Sequence, residues 1–123
     1  IKDKPITLSA VIFPNLTEGN SVKMQYWQDW GYNAYIDAFT PLVIGTDADI
    51  IDSYVKEIIN NSADKVKVYP GIFEPFVSAS PADMLYQIKT GREAGADGII
   101  IFDYAHLSDK YSEALNTRVF STP

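Results

Sequence analysis

Val66-Lys67-Val68-Tyr69-Pro70-Gly71-Ile72 and, one helical stretch later, Gly98-Ile99-Ile100-Ile101-Phe102 are the segments that decide the fold. Each is short, and each is apolar along nearly its whole length instead of alternating apolar and polar positions. A strand reads this way when both faces of its sheet are covered, as in a parallel sheet under helices. Working outward, two more runs of the same kind appear, Leu8 to Phe13 and Ile36 to Ile44, and the last run extends from Gly98 to Tyr104. Helical patterns separate the four, so the order is β-α-β-α-β-α-β-α and the expected class is α/β with parallel strands.

The helical stretches carry their own signals. Val22, Tyr26, Trp27 and Trp30 fall on one face and predict a first helix docked on the sheet. In the second, Ile50, Ile51, Tyr54, Val55, Ile58 and Ile59 recur every three to four residues behind Thr46, Asp47 and Asp49, whose acceptors cap free amides and complement the helix dipole. The third begins with Ser80 as N-cap, Pro81 at the first turn and Asp83 three residues on, buries Met84, Leu85 and Ile88, and stops at Gly95. A fourth starts at Ser108, buries Tyr111, Ala114 and Leu115, and runs out through Thr122 and Pro123. No linker, repeat or low-complexity tract interrupts the series, so residues 1–123 read as one domain.

Composition removes several function classes. The formal charge of −6 leaves no basic face for nucleic acid, and the lack of cysteine removes disulfides and thiolate metal sites. No apolar run reaches the roughly 18 to 20 residues that cross a bilayer, and the opening residues lack the order of a signal peptide. Neither GxGxxG nor GxxxxGK[ST] appears, so neither common nucleotide site is supported. The run Asp47-Ala48-Asp49-Ile50-Ile51-Asp52 lacks the glycine and distal glutamate of a calcium loop and reads as a charged helix start. No cofactor and no metal are expected. Periodicity alone leaves two architectures open, half of a barrel or a small flavodoxin-like sheet, because both use right-handed parallel crossovers.

The spacing of several motifs resembles the glycoside-hydrolase-like family often called family 10-like, bacterial (β/α)8 barrels. The strand Leu8 to Pro14 is followed by a Q-x-W-x-x-W helix at Gln25, Trp27 and Trp30. Next comes a strand of the form D-x-x-x-P, here Asp37 to Pro41. Tyr69-Pro70-Gly71-Ile72 matches the family's P-G-I ending, Gln87, Ile88, Arg92, Gly95 and Gly98 match Q-I followed by R-x-x-G-x-x-G, and the last strand ends in Phe102. The resemblance covers nearly the whole chain. It implies a (βα)4 half of a TIM (β/α)8 barrel, strands five to eight, from a protein that cleaves glycosidic bonds of a bacterial cell-wall glycan or other polysaccharide outside the cytoplasm. Where the family has Met and Tyr after the strand proline this chain has Leu42 and Ile44, and Glu74 and Asp103 stand where the family commonly has no acid. The alternative implied by those departures is a non-catalytic carbohydrate-binding or surface-architecture protein. A flavodoxin-like regulatory domain would need acids clustered at the end of the first strand, and the chain lacks them.

In any such barrel the working groups sit at the C-terminal ends of the strands. These ends offer Asn15 with Glu18, Gly45 with Asp47, Glu74, and Asp103 with Tyr104 and His106. Glu74 and Asp103 are the candidate catalytic carboxylates, expected in one cleft at the ends of neighbouring strands. Retaining hydrolysis places such a pair about 5 Å apart and inverting hydrolysis roughly 6.5 to 9.5 Å apart. Sugars present CH faces that stack on rings, so Tyr104, Phe73 and Phe76 are candidate substrate contacts. His106, the only histidine, and Asp37, a family-matched position at the start of its strand, join them; Asp37 also has a structural reading, bonding loop amides. A half barrel leaves two unpaired strand edges, Leu8 to Phe13 and Gly98 to Phe102. Neither run carries the lysines or bulges that blunt edges, so self-association is expected.

Overall fold

The computed structural model describes residues 6–44 and 47–120. Gly45, Thr46, Thr122 and Pro123 therefore lie outside the described residues. Five strands, β1 (Ser9–Ile12), β2 (Ala38–Val43), β3 (Lys67–Val68), β4 (Gly71–Ile72) and β5 (Ile100–Ile101), alternate with helices α1 (Leu16–Ser21), α2 (Trp27–Tyr32), α3 (Ala48–Asn61), α4 (Pro81–Glu93) and α5 (Asp109–Arg118). Every pairing is parallel: β1 with β2, β2 with β3 and β4, and β4 with β5. The class is α/β with a parallel sheet.

The segment Val66 to Ile72, read as one strand, appears as two short ladders, and proline explains the interruption. The offset between β2 and its partners is the same on both sides of the gap, Ala38 opposite Lys67 and Leu42 opposite Gly71. Pro41 and Pro70 thus face each other in register, and neither has an N–H to give the ladder. Parallel alignment nonetheless persists, because Tyr69 N–H donates to Phe39 O at 2.9 Å and Ile100 N–H to Pro70 O at 3.0 Å.

Strand order follows chain order across the sheet and never reverses. The helices pack on one another in the same sequence, α2 on α3, α3 on α4 and α4 on α5. Between the layers lies one core, with Ile12, Phe39, Val43, Val68 and Ile72 from the sheet meeting Trp27, Ile51, Val55, Ile58, Met84, Tyr111 and Leu115 from the helices. Each such side chain contributes about 1.5 to 3 kcal/mol by leaving water. The expected caps are present: Asp47 accepts from Asp49 N–H at the start of α3, and Ser80 with Asp83 forms a reciprocal capping box on α4. Gly95 has a φ of +104°, a left-handed stop that favours glycine.

The first predicted helix needs correction. Residues 16–32 form two short helices, and Val22 and Tyr26 are exposed while only Trp27 is buried and Trp30 half-buried. The intervening turn, with Met24 at a φ of 56°, serves a purpose that hydrophobic periodicity does not reveal. It places the Gln25 amide against the edge strand, where Oε1 accepts from Phe13 N–H at 2.8 Å and Nε2 donates to Val11 O at 3.2 Å. Ala38 N–H bonds Leu8 O, so by alternation Val11 and Phe13 present their backbone groups away from β2. The Gln25 side chain therefore stands in for a missing strand partner. The edge Leu8 to Phe13 is blunted at its C-terminal end, contrary to the expectation of an unprotected edge. Gln25→Ala is expected to lose about 1 to 3 kcal/mol, since two backbone groups are left without partners, and to increase self-association. Urea unfolding and light scattering measure both effects.

On the face away from the helices, Val11 and Ile100 remain 52% and 39% exposed. Gly71 lies on this face, and a Cβ there would stand 2.8 Å from Phe102 Cε2 and 3.4 Å from Thr40 Cγ2. Gly71→Ala is expected to push the Phe102 ring aside and cost about 1 to 3 kcal/mol in thermal unfolding.

Candidate functional site

Glu74 and Asp103 stand at equivalent places: Ile72 and Ile101 are register partners on β4 and β5, and each acid lies two residues beyond its partner. Their surroundings differ sharply. Glu74 is 0% exposed, and neither carboxylate oxygen has a hydrogen-bond partner among the described residues. The turn over residues 74–78 closes on it through Ala79 N–H, which donates to Glu74 O at 2.9 Å. The Tyr111 hydroxyl of α5 pins the same turn by donating to Ala79 O, with Glu74 O at 3.5 Å. Burial is the main reason that the Glu74 pKa rises to about 7; the charge of Asp83 adds to the rise, and the backbone amides of Glu74 and Phe73, near the carboxylate but outside hydrogen-bond geometry, offset part of it.

Asp103 is the opposite case. It is half-exposed, caps the short 3-10 turn Tyr104–His106, and accepts from His106 N–H at 3.1 Å while its Oδ1 lies 2.7 Å from His106 Nδ1. The bond to the His106 side chain, helped by the amides of His106 and Ala105, holds the Asp103 carboxyl below the usual range against the opposing effect of desolvation. One carboxyl at this end of the sheet is thus held protonated toward neutrality and its counterpart is held ionised.

Rings connect the pieces. Phe73 stacks on Phe102 with centroids 4.6 Å apart and planes 3° apart, meets Phe76 edge-on at 6.4 Å, and Phe76 in turn meets the His106 ring at 5.0 Å. Phe73, Phe76, His106 and Asp103 are therefore brought together. Tyr104 projects from the same turn, 93% exposed. No family model, curated protein or solved structure matches the chain.

Asp37 is not brought to this cluster. It precedes β2, at the other end of the sheet, where its Oδ2 accepts from Leu8 N–H at 2.7 Å and its own N–H donates to Leu8 O at 2.8 Å. That reciprocal pair fastens β1 to β2, the structural reading of the residue. Asn15, another strand-end candidate, caps α1 by accepting from Glu18 N–H at 2.9 Å. Among the described residues no group of three or more His, Asp or Glu side chains is arranged to hold a metal ion. Sequence reasoning missed Phe102 and Tyr111 as parts of the site. The aromatic ending of the last strand signals the first, but only the packing of α5 across the 74–78 turn reveals the second.

Tyr111→Phe removes the hydroxyl that pins this turn. It is expected to cost about 1 kcal/mol in unfolding and to speed hydrogen exchange at Ala79 N–H.

Proposed function

We propose that the chain is the C-terminal half of a (β/α)8 barrel, strands five to eight, in a glycosidase-like protein that acts on a bacterial cell-wall glycan or another polysaccharide outside the cytoplasm. A strand order that never reverses, with helices packed in chain order, supports half a barrel over a doubly wound sheet, whose order turns back at a switch point. The observation that carries the function is the divergence of two acids at matching places on neighbouring strands. Environments that push two carboxyls apart in protonation assign an acid and a base.

In this reading Glu74 donates its proton to the leaving glycosidic oxygen as the bond to the anomeric carbon breaks. Asp103, ionised beside His106, faces the developing positive charge, and either attacks the anomeric carbon or takes a proton from the water that does. Phe76, Tyr104 and the His106 ring give the sugar CH faces a surface to stack on. Glu74 is covered, so the substrate reaches it only when residues 74–78 lift, with Phe76 and Val77 on the outside of that turn as the first groups contacted. In a complete barrel, strands one to four would supply the rest of the cleft wall that holds the glycan, and this chain alone is expected to be inactive.

Glu74→Gln in the full-length protein is expected to lower turnover of a polysaccharide by at least about 10², the scale of losing one acid/base group, with glycan affinity kept. Unchanged turnover with an unaltered fold would remove Glu74 from the mechanism. The second reading, a binding protein without catalysis, is favoured by the complete burial of Glu74 beside an almost fully exposed Tyr104. Under it, glycan binding is lost in Tyr104→Ala and no hydrolysis is found in the wild type.

A further inference from the structure

At the opposite end of the molecule from Glu74, the last turns of α4 and α5 bound a groove of about 680 Å³. Lys89, Arg92 and Arg118 line it, together with Leu85, Ile88 and Val119. A second cleft of about 180 Å³ shares Ile88, Arg92 and Val119 with the groove and continues toward Ile99, Ile101 and Leu115, close to the core. We propose that this bipartite space binds a carboxylate-headed amphiphile, its head between Arg92 and Arg118 and its apolar tail in the inner cleft.

Charge carries the first half of the argument. The chain has 10 basic against 16 acidic side chains and repels anions as a whole, yet three of its cations line this one groove. The single acid in the lining, Glu93, lies 3.8 Å from Lys89, so it offsets that ammonium and leaves the two guanidiniums. Arg92 and Arg118 each sit in the last turn of their helix, where they complement the dipole. That role requires neither a shared groove nor an apolar floor. A planar guanidinium pair is suited to a carboxylate, which it holds with directed bonds and not as a point charge.

Shape carries the second half. The groove falls within the range of about 300 to 1,000 Å³ usual for small-molecule sites, which are mostly apolar with few polar anchors. Here the apolar portion lies inward and the cations lie at the rim, the order an amphiphile with one charged end requires. The proposal is independent of the glycan reading, since it uses no residue of that site.

Calorimetric titration of the protein with octanoate, octanamide and acetate tests it. Octanoate is expected to bind at Arg92 and Arg118, octanamide about tenfold or more weakly because it lacks the charge, and acetate not measurably because it lacks the tail. Arg92→Gln with Arg118→Gln, both exposed positions, is expected to bring octanoate down to the affinity of octanamide. Equal binding of octanoate and octanamide would reduce the site to a non-specific apolar cleft, and equal binding of acetate to an adventitious anion contact; either overturns the proposal. Absence of octanoate binding, with the double variant instead lowering the melting temperature, would assign the groove to another segment of the protein and overturn it as well. The ligand series on the wild-type protein stands even if the variant fails to fold.

Discussion

Phe39→Ala is expected to cost about 3 to 5 kcal/mol, the largest effect of any single substitution considered. Phe39 is 0% exposed on the central strand and meets the Trp27 ring edge-on, with centroids 6.0 Å apart. It also packs against the backbone of α2, where a Cβ added at Gly31 would stand 3.0 Å from its Cε2. Truncation therefore removes contacts to both layers at once, and the rigid surroundings of Gly31 and the Trp27 ring limit collapse into the cavity. A domain of ordinary stability holds about 5 to 15 kcal/mol, so this variant should lose much of its margin. Urea unfolding measures it, and a loss under about 1 kcal/mol would show that the two layers are not joined through this ring.

Relative to its effect at pH 4.5, Glu74→Gln is expected to stabilise the protein by up to about 3 kcal/mol more above pH 7. The sign follows from the shift. Burial raises the carboxyl from 4.5 to about 7, so between these values the folded state binds a proton that the unfolded state has released. Stability contributed by the neutral form is intact below 4.5 and is lost as pH rises through 7, where the folded protein must hold a charge without a partner. A rise from 4.5 to about 7 corresponds to about 3 kcal/mol. Unfolding at pH 4.5, 6 and 8 should show the gap between variant and wild type opening with pH, and a constant gap would contradict the account. Under the proposed glycosidase function, that loss of stability at neutral pH is the cost of keeping a proton donor at the site.

Much of the fold was legible because its signals are local. The capping box at Ser80 and Asp83, the stop at Gly95 and the apolar runs on either side of Pro70 each follow from nearest-neighbour chemistry. The first helix was misread because Val22 and Tyr26 share a helical spacing with Trp27, while the competing demand, that Gln25 reach the edge of β1, is a long-range one. The split of the third strand was carried by Pro41 and Pro70, yet it appears only once register sets the two opposite each other. At the site, the positions of Glu74 and Asp103 past their strands could be read from spacing. That one is sealed under Tyr111 and the other tied to His106 could not, since α5 and the turn meet only in three dimensions. Asp37 matched a motif but lies at the wrong end, where strand direction, not residue type, decides what it touches.

Carbon NMR of the side-chain carboxyls, followed through a pH titration, reads directly whether the Glu74 and Asp103 carboxyls are pushed apart in protonation. Glu74 is expected to titrate with a midpoint near 7 and Asp103 below the usual aspartate range. A Glu74 midpoint near 4.5, the value of an exposed glutamate, would contradict it.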